Sequence, residues 1–155
     1  GRVVKHIVCN QNEFFGPWIC KILGIEWFTG RGQTIGLLDS EKGPIACALY
    51  EGYNGASVMV HLAKAPDASL CHEFIWYGSY YPFVELGVNV LIAPIESTNS
   101  RSIKFTEHYG FTLGATLKDA AVDGDLLLYT MKRDDCPWLS LKGFSHGKAE
   151  HAESS

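Results

Sequence analysis

An almost wholly apolar run, VNVLIAPI at residues 88–95, follows directly on a helical pattern at 69–87. A strand without alternating polar residues is typical of a strand buried on both faces, as in parallel sheets. Parallel neighbours need a long crossover, which a helix usually provides. The run therefore predicts a β-α-β unit near the centre of the sheet, and its first strand is ASVMVHLA at 56–63.

Three strand patterns in succession lead into this unit. They are TIGLLDS at 34–40, IACALYEGY at 45–53 and ASVMVHLA at 56–63. Turn signals separate them, and the Asn54-Gly55 pair is a strong marker of a hairpin. We expect these strands to form an antiparallel meander.

A first helical pattern occupies residues 13–24. It places Phe14, Trp18, Ile22 and Ile25 on one apolar face. Such a stripe, recurring at the helical period, is the mark of an amphipathic helix.

The crossover helix is predicted at 69–87, with Ser69 or Asp67 as its cap. Pro82 lies inside this pattern. Because proline lacks a backbone N–H and clashes with the preceding turn, it predicts a kink, or a break at Tyr81.

The segment 97–111, STNSRSIKFTEHYGF, begins with capping residues and ends with Gly110 and an aromatic ring, which predicts a helix over 99–109. Four of its residues share one face: Ser102, Phe105, Thr106 and Tyr109. Hydroxyls mixed with aromatic rings make a poor core stripe and a reasonable wall for a ligand. A well-capped surface helix without a ligand is the alternative.

One further strand is predicted at 3–9, and two more at 111–120 and 126–133. The order β-α-β-β-β-α-β-α-β-β indicates an α+β fold in one domain, residues 1–138. The polar tail at 139–155 is expected to be disordered.

Charge and composition exclude several classes of function. The formal net charge is −4, which argues against a nucleic-acid partner, since such proteins carry a basic patch. No apolar run is long enough to span a membrane, so we expect no membrane partner. The five cysteines form no Cys-x-x-Cys motif. We expect reduced core thiols in a cytoplasmic protein, and no metal site.

The element order, with Asn99, Ser102, Gly110 and Phe111 at this spacing, resembles the GNAT superfamily of acyl-CoA-dependent N-acetyltransferases from about residue 3 to residue 138. The segments GRGQTIGLLDS, ALYEGYNG and CPWL look especially like a short group common in phages and prophages. The resemblance implies a GNAT fold: a mixed, mostly antiparallel sheet with a splayed parallel pair of fourth and fifth strands, and helices on both faces.

The resemblance also implies transfer of an acetyl group from acetyl-CoA to a primary amine, on a protein N-terminus or a small molecule, by direct attack on the thioester. A monomer or homodimer is expected. Two departures favour an alternative, a catalytically weak or inactive scaffold that binds CoA or another protein. KAPDASL at 64–70 replaces the family's glycine-rich phosphate signature, and Thr106 stands where many members have a tyrosine. Acetylation of aminoacyl-tRNA is disfavoured by the acidic charge balance.

By the resemblance, the fourth strand, the loop after it and the helix at 99–109 would hold the cofactor. The expected cofactor-binding residues are Leu62, Ala63, Lys64, Ala68, Ser69, Leu70, Asn99, Ser102 and Phe105. An ordinary loop without a ligand is the alternative for 64–70. Arg101 and Lys104 either meet the 3′-phosphate of CoA or are simply solvated.

His61, on the fourth strand beside the expected thioester, is the candidate base, because an imidazole titrates near neutral pH. A hydrogen-bonded core histidine is the alternative. Glu51 is a second-choice base, or else a solvated charge of the hairpin. Thr106 is the candidate hydrogen-bond donor to the leaving sulfur, although an alkyl alcohol is a far weaker acid than a phenol.

The acceptor pocket is expected between the first helix and two hairpins. Its candidate residues are Trp27, Phe28, Tyr53 and Asn54. Asp119, Asp123 and Asp125 would favour a cationic amine at the pocket mouth, but Asp-rich turns need no functional reason.

Overall fold

A computed structural model describes residues 2–140, so the predicted tail at 139–155 lies almost wholly outside the described residues. The strands are β1 (Lys5–Cys9), β2 (Gln33–Asp39), β3 (Gly43–Glu51), β4 (Ser57–Lys64), β5 (Val90–Glu96), β6 (Thr112–Ala121) and β7 (Gly124–Lys132). The helices are α1 (Asn12–Leu23), α2 (His72–Tyr80), a π-helical segment (Tyr81–Glu85), α3 (Ser100–His108) and a 3₁₀ turn (Arg133–Asp135). This order is the predicted one, and the strand ends differ only slightly from those expected.

The strands form one sheet in the order β1-β2-β3-β4-β5-β7-β6. β4 and β5 run parallel, and the other neighbouring strands are antiparallel. The crossover predicted from the apolar run is therefore confirmed. Pairing between β4 and β5 covers only Ser57–Met59 and Val90–Ile92. Beyond Met59 and Ile92 the two strands are no longer paired, and we call this opening the split.

The sheet separates two apolar layers. The side on which α1 packs, here the α1 face, has a core that includes Phe15, Ile19, Cys47, Leu49 and Ala63. The opposite side, the α2 face, has a core that includes Ala48, Tyr50, Val58, Phe74 and Phe83. α3 also lies on the α2 face, where Ile103 packs with Ala93 and Tyr129. Helices thus cover both faces, as the resemblance implies.

The apolar face predicted for α1 is wrong for two of its four residues. Phe14 and Ile22 are 52% and 49% exposed, and Trp18 is only partly buried, whereas Phe15 and Ile19 are fully buried. α1 is apolar on nearly all sides, so periodicity alone does not select the buried face. The sheet selects it, because the helix docks where the strands offer small and branched side chains.

The crossover helix begins later than predicted. Its N-cap residue is Cys71, and no side chain caps it. Asp67, one of the two expected caps, lies instead in a turn with φ of 61°. The α-helix ends at Tyr80 and continues as the wider π-helical segment, in agreement with the break predicted from Pro82, because proline cannot donate to the α-helical ladder.

α3 has the caps that the sequence predicts. The Asn99 side-chain oxygen accepts a hydrogen bond from the Ser102 N–H at 3.1 Å, which satisfies one of the unpaired donors of the first turn. After the helix, Gly110 adopts a φ of 101°, a left-handed conformation that favours glycine. The Trp138 indole N–H donates to the Tyr109 carbonyl oxygen at 2.9 Å, and this bond ties the segment after β7 to the end of α3.

Candidate functional site

A cavity of about 390 Å³ lies at the split between β4 and β5. Side chains alternate along a strand, so Val60 and Leu62 enter the cavity from the α2 face, whereas His61 enters it from the α1 face. Most of the wall belongs to the α2 face and is apolar. The cavity therefore reaches both faces of the sheet through the split.

The split leaves backbone groups of β4 available to a ligand. The Ala65 N–H donates to the Ile45 carbonyl oxygen at 2.8 Å, at the end of the β3–β4 ladder. Because bonded and non-bonded pairs alternate in an antiparallel ladder, Ala63 and His61 exchange bonds with β3. The N–H and C=O of Leu62 then point toward β5, beyond the point where β4–β5 pairing ends. A buried donor in this position needs a partner, and a ligand amide can supply one.

One side of α3 forms a wall of the cavity. The residues that line it from α3 and its two ends are Asn99, Ser102, Phe105, Thr106 and Tyr109. The shared face predicted from the spacing is thus directed into the cavity. Arg101 and Lys104 lie on the exposed side of α3, away from this wall.

Phe105, Tyr109 and Trp138 form an aromatic cluster in the cavity wall, and only Trp138 was not expected there. The rings of Phe105 and Tyr109 are 4.7 Å apart, and those of Tyr109 and Trp138 are 5.4 Å apart. Burial raises the pKa of the Tyr109 phenol, so this group keeps its proton at neutral pH. The CPWL motif at 136–139 was the only sequence signal for Trp138, and it does not reveal the contact with α3.

Three charged or polar side chains form a chain of contacts on the α1 face. Glu51 lies 2.7 Å from His61, between Oε2 and Nε2, and 3.4 Å from the Arg31 Nε. Arg31 also donates to the Glu26 carbonyl oxygen and lies over the Phe28 ring, 5.6 Å from its centroid. We call Arg31, Glu51 and His61 the Arg–Glu–His chain.

Burial of the Arg–Glu–His chain corrects one prediction. The Glu51 side chain is 16% exposed, so it is not a solvated hairpin charge. Arg31 was missed, because a lone arginine in the GRG loop at 30–32 gives no sign that the loop folds back on β3 and β4.

The environment of His61 keeps its imidazole neutral. Burial lowers the pKa of His61 below its usual 6.5, and this outweighs the opposite effect of the Glu51 carboxylate; Arg31 lowers the pKa a little further. With Nε2 donating to Glu51, the neutral ring has its lone pair on Nδ1. His61 can therefore accept a proton at neutral pH, and Glu51 can stabilise the imidazolium that results.

The loop at 64–70 is held by two lysines. The Lys64 ammonium donates to the Ala68 carbonyl oxygen at 3.2 Å, and the Lys5 ammonium donates to the Ser69 carbonyl oxygen at 2.9 Å. Lys5 is far away in sequence, so its presence here was not predicted. Of the cofactor residues expected on β4 and the loop, the side chains of Leu62 and Leu70 line the cavity. Those of Ala63, Lys64, Ala68 and Ser69 do not.

The four residues expected in the acceptor pocket lie outside the cavity wall. The Trp27 indole N–H donates to Glu13 of α1 at 3.1 Å, and Phe28 is 60% exposed. The Tyr53 hydroxyl donates to the Leu86 carbonyl oxygen at 3.1 Å. Asn54 accepts bonds from two backbone N–H groups of its own turn. These contacts support the turns and the packing of α1.

The aspartates of the β6–β7 hairpin also have a structural role. The Asp125 carboxylate accepts a bond from the Asp119 N–H at 2.9 Å and lies 3.4 Å from the Lys118 ammonium. None of Asp119, Asp123 and Asp125 lines the cavity.

Metal ligation and membrane insertion find no support in residues 2–140. None of the five cysteines forms a disulfide, and no group of histidine, cysteine or carboxylate side chains in this range has the arrangement of a metal site. Within the same range, no helix is long and apolar enough to cross a membrane.

Comparison with known proteins establishes the fold. No protein-family model and no curated sequence matches the chain. A variant of spermidine N-acetyltransferase from Vibrio cholerae superposes with a TM-score of 0.69 at 14% identity, covering 88% of this chain and 98% of that one. A second variant of that enzyme gives 0.68 at 12% identity, covering 89% and 96%. A dodecameric form, described as an intermediate state, gives 0.66 at 11% identity, covering 85% and 94%.

The chain therefore has the GNAT fold, as the sequence resemblance implies. The seven-stranded mixed sheet and its parallel β4–β5 pair are shared with these structures. None of the comparisons supports the narrower phage-type group.

Proposed function

We propose that this protein is an N-acetyltransferase that moves an acetyl group from acetyl-CoA to a primary amine. One observation carries the proposal: the cavity passes through the split and meets a carboxylate-paired histidine on the far side. The structural likeness to spermidine N-acetyltransferases supports an amine as acceptor. Identity of 14% or less does not carry their substrate over to this chain.

The residues at the split fit acetyl-CoA. Leu62 would pair its free backbone groups with the pantetheine amides, and the apolar side of α3 would line the arm. The phosphates would lie near the first turn of α2, because the N-terminus of a helix favours an anion. Lys5 and Lys64 place two positive charges beside the loop that enters this turn. When bound, acetyl-CoA supplies an acetyl group activated as a thioester.

His61 is the proposed base. A primary amine is an ammonium ion at neutral pH and must lose a proton before it can attack a carbonyl carbon. The Nδ1 of neutral His61 can take this proton, directly or through water, and Glu51 then faces an imidazolium across 2.7 Å. The same contact holds the ring in one orientation, so the base is ready before the acceptor arrives.

Two hydroxyls, one on α3 and one at its C-terminal end, are candidates to interact with the departing sulfur. Thr106 lines the cavity and would donate a hydrogen bond to the departing sulfur. The phenol of Tyr109 lines it too, but its raised pKa makes proton loss harder. After the attack, the nitrogen loses its second proton to solvent as the carbon–sulfur bond breaks. Solvent that enters the cavity then protonates the departing thiolate, and Thr106 stabilises the charge until then.

The test combines binding and turnover. Calorimetry with acetyl-CoA should show binding, and thiol release should depend on added amine. His61→Ala should lower kcat by about a hundredfold or more, the usual contribution of a positioned base, while acetyl-CoA affinity stays unchanged. His6→Ala, an exposed histidine on β1, is the matched control.

Three results would count against the proposal. Absence of binding at millimolar acetyl-CoA would exclude the enzyme. Binding without turnover of any amine would favour the alternative, a scaffold that binds CoA without transferring its acyl group. An unchanged kcat/KM in His61→Ala would remove His61 as the base.

A further inference from the structure

The acceptor side of the cavity can be identified from the position of the proposed base. His61 projects from β4 onto the α1 face, opposite the wall that α3 provides. An amine that gives its proton to His61 must approach from that face. We call this opening the α1-face mouth.

The α1-face mouth is largely apolar. Leu23, at the end of α1, and Ile25, just after it, line this mouth. Ala93 and Ile95 of β5 are buried against Tyr129 on the α2 face, so the alternating residue Pro94 projects onto the α1 face. The apolar residues that line the cavity here are Leu23, Ile25, Pro94 and Leu126. Such a surface favours an acceptor whose amine is attached to an apolar group.

The charges of the Arg–Glu–His chain cancel. Arg31 and Glu51 are paired, and the lowered pKa of His61 keeps its ring neutral at pH 7. The charge that is not balanced in this way belongs to Glu96, whose carboxylate lines the cavity wall. Because side chains alternate along β5, Glu96 also projects onto the α1 face, where its neighbour on β7 is Leu126. Within residues 2–140 it has no ion-pair partner.

We infer that the acceptor is an apolar primary amine that enters with a single positive charge and pairs its ammonium with Glu96 before His61 takes the proton. The inference rests on the proposed function. The reason is charge balance at the α1-face mouth. The carboxylate of Glu96, which has no ion-pair partner there, can compensate one ammonium. Spermidine carries three amines, so two ammonium groups would remain after one is deprotonated, and Glu96 can pair with only one of them. An unpaired charge in an apolar site is costly.

Two acceptors test the charge match. In the thiol-release assay, hexylamine should have a kcat/KM at least about tenfold above that of spermidine, because each unpaired ammonium must be desolvated. Glu96→Gln should raise KM for hexylamine about tenfold and leave kcat nearly unchanged, as expected for a residue that binds the ammonium. Glu41→Gln, in the exposed β2–β3 turn, is the matched control and should change neither. Equal or better use of spermidine, or a Glu96→Gln variant with unchanged KM, would overturn the inference.

A binding experiment separates this inference from the proposed function. CoA joined through an ethylene bridge to the nitrogen of hexylamine, or to a terminal nitrogen of spermidine, keeps that nitrogen protonated and reports on the mouth without any turnover. The hexylamine conjugate should bind more tightly than CoA and than the spermidine conjugate. That result would support the acceptor class even if no amine were acetylated. A spermidine conjugate that binds as tightly, or a hexylamine conjugate no tighter than CoA, would overturn the class, whatever the fate of the proposed transfer.

Discussion

The two sides of the split are built in different ways. On the α2 face, α2, α3 and the aromatic rings next to α3 form a mostly apolar wall, and the contacts are packing contacts. On the α1 face, Arg31, Glu51 and His61 come from a loop and two strands, and their contacts are charged or polar. A thin parallel pairing of β4 and β5 separates the two sides.

This difference indicates a division of labour. An apolar wall can hold a long ligand by many weak contacts, so the loss of one side chain should change binding or stability by a modest amount. A chain of paired side chains acts as a unit, so the loss of one member changes the protonation and orientation of the next. Substitutions on the α1 face should therefore affect rate, and those on the α2 face should affect stability and affinity.

Among substitutions that keep His61, the largest effect is expected from Glu51→Gln, which breaks the Arg–Glu–His chain at its centre. An amide cannot stabilise an imidazolium as a carboxylate does, so kcat should fall by about a hundredfold, in the range seen when a group that orients a catalytic residue is removed. Steady-state kinetics with saturating acetyl-CoA measures this. The affinity for acetyl-CoA should not change.

Glu41→Gln again serves as the control, because it removes an exposed carboxylate of the same sheet. A Glu51→Gln protein with wild-type kcat would show that the contact with His61 is only structural, and the contrast between the two faces would then disappear.

The second effect concerns the α2 face. Trp138→Ala removes a half-buried ring that packs on Tyr109 and donates to its carbonyl oxygen. The free energy of unfolding should fall by about 2 kcal/mol, less than for a fully buried tryptophan, and acetyl-CoA should bind more weakly. Denaturant titration and calorimetry measure the two quantities.

Trp138→Phe separates packing from hydrogen bonding, since it keeps a ring but loses the indole N–H. It should recover most of the stability. A Trp138→Ala variant that lost kcat but kept stability and affinity would contradict the division between the faces.

Local signals explain why one side of the split could be predicted and the other could not. The wall of α3 follows from a 15-residue stretch, in which the caps and the spacing of Ser102 and Thr106 already specify which side faces the cavity. The parallel crossover was equally visible in the apolar run at 88–95. The contact of Arg31 with Glu51 joins residues 20 positions apart through a loop without a regular pattern, so it depends on how the loop folds over the sheet.

The error in the buried face of α1 has a related cause. α1 offers apolar residues in every direction, so its buried side is chosen by the strands below it. Trp27 and Tyr53, expected as ligand contacts from their residue types, bond to nearby elements of the fold and lie outside the cavity wall. Residue type indicates what a side chain can do, and tertiary packing decides whether it reaches the site.

A smaller effect is expected from Asn99→Ala at the start of α3. It removes the cap that accepts from the Ser102 N–H at 3.1 Å, and such a loss costs about 1 kcal/mol of folding free energy. Thermal or denaturant unfolding measures it. Asn99→Asp keeps an acceptor and should retain the stability. If both variants were equally destabilised, the cap would not be the cause.

The smallest effect is a shift in pH dependence caused by Arg31. Its charge lowers the pKa of His61, and burial does so more strongly. If neutral His61 is the base, kcat/KM rises with pH through the His61 pKa, below 6.5, and then levels off. Arg31→Gln removes the positive charge, so the His61 pKa should rise and the acid limb should move to higher pH. Glu51→Gln removes the negative charge and should move it to lower pH.

Arg31→Lys is the matched control for this shift, because it keeps the charge but loses the planar fork that contacts both Glu51 and the Glu26 carbonyl oxygen. It should leave the pKa near the wild-type value even if kcat falls. NMR titration of the His61 ring, assigned with His61→Ala, measures the pKa without turnover. Shifts of the same sign in Arg31→Gln and Glu51→Gln would mean that altered burial outweighs charge, and the α1 face would then differ from the α2 face in polarity alone.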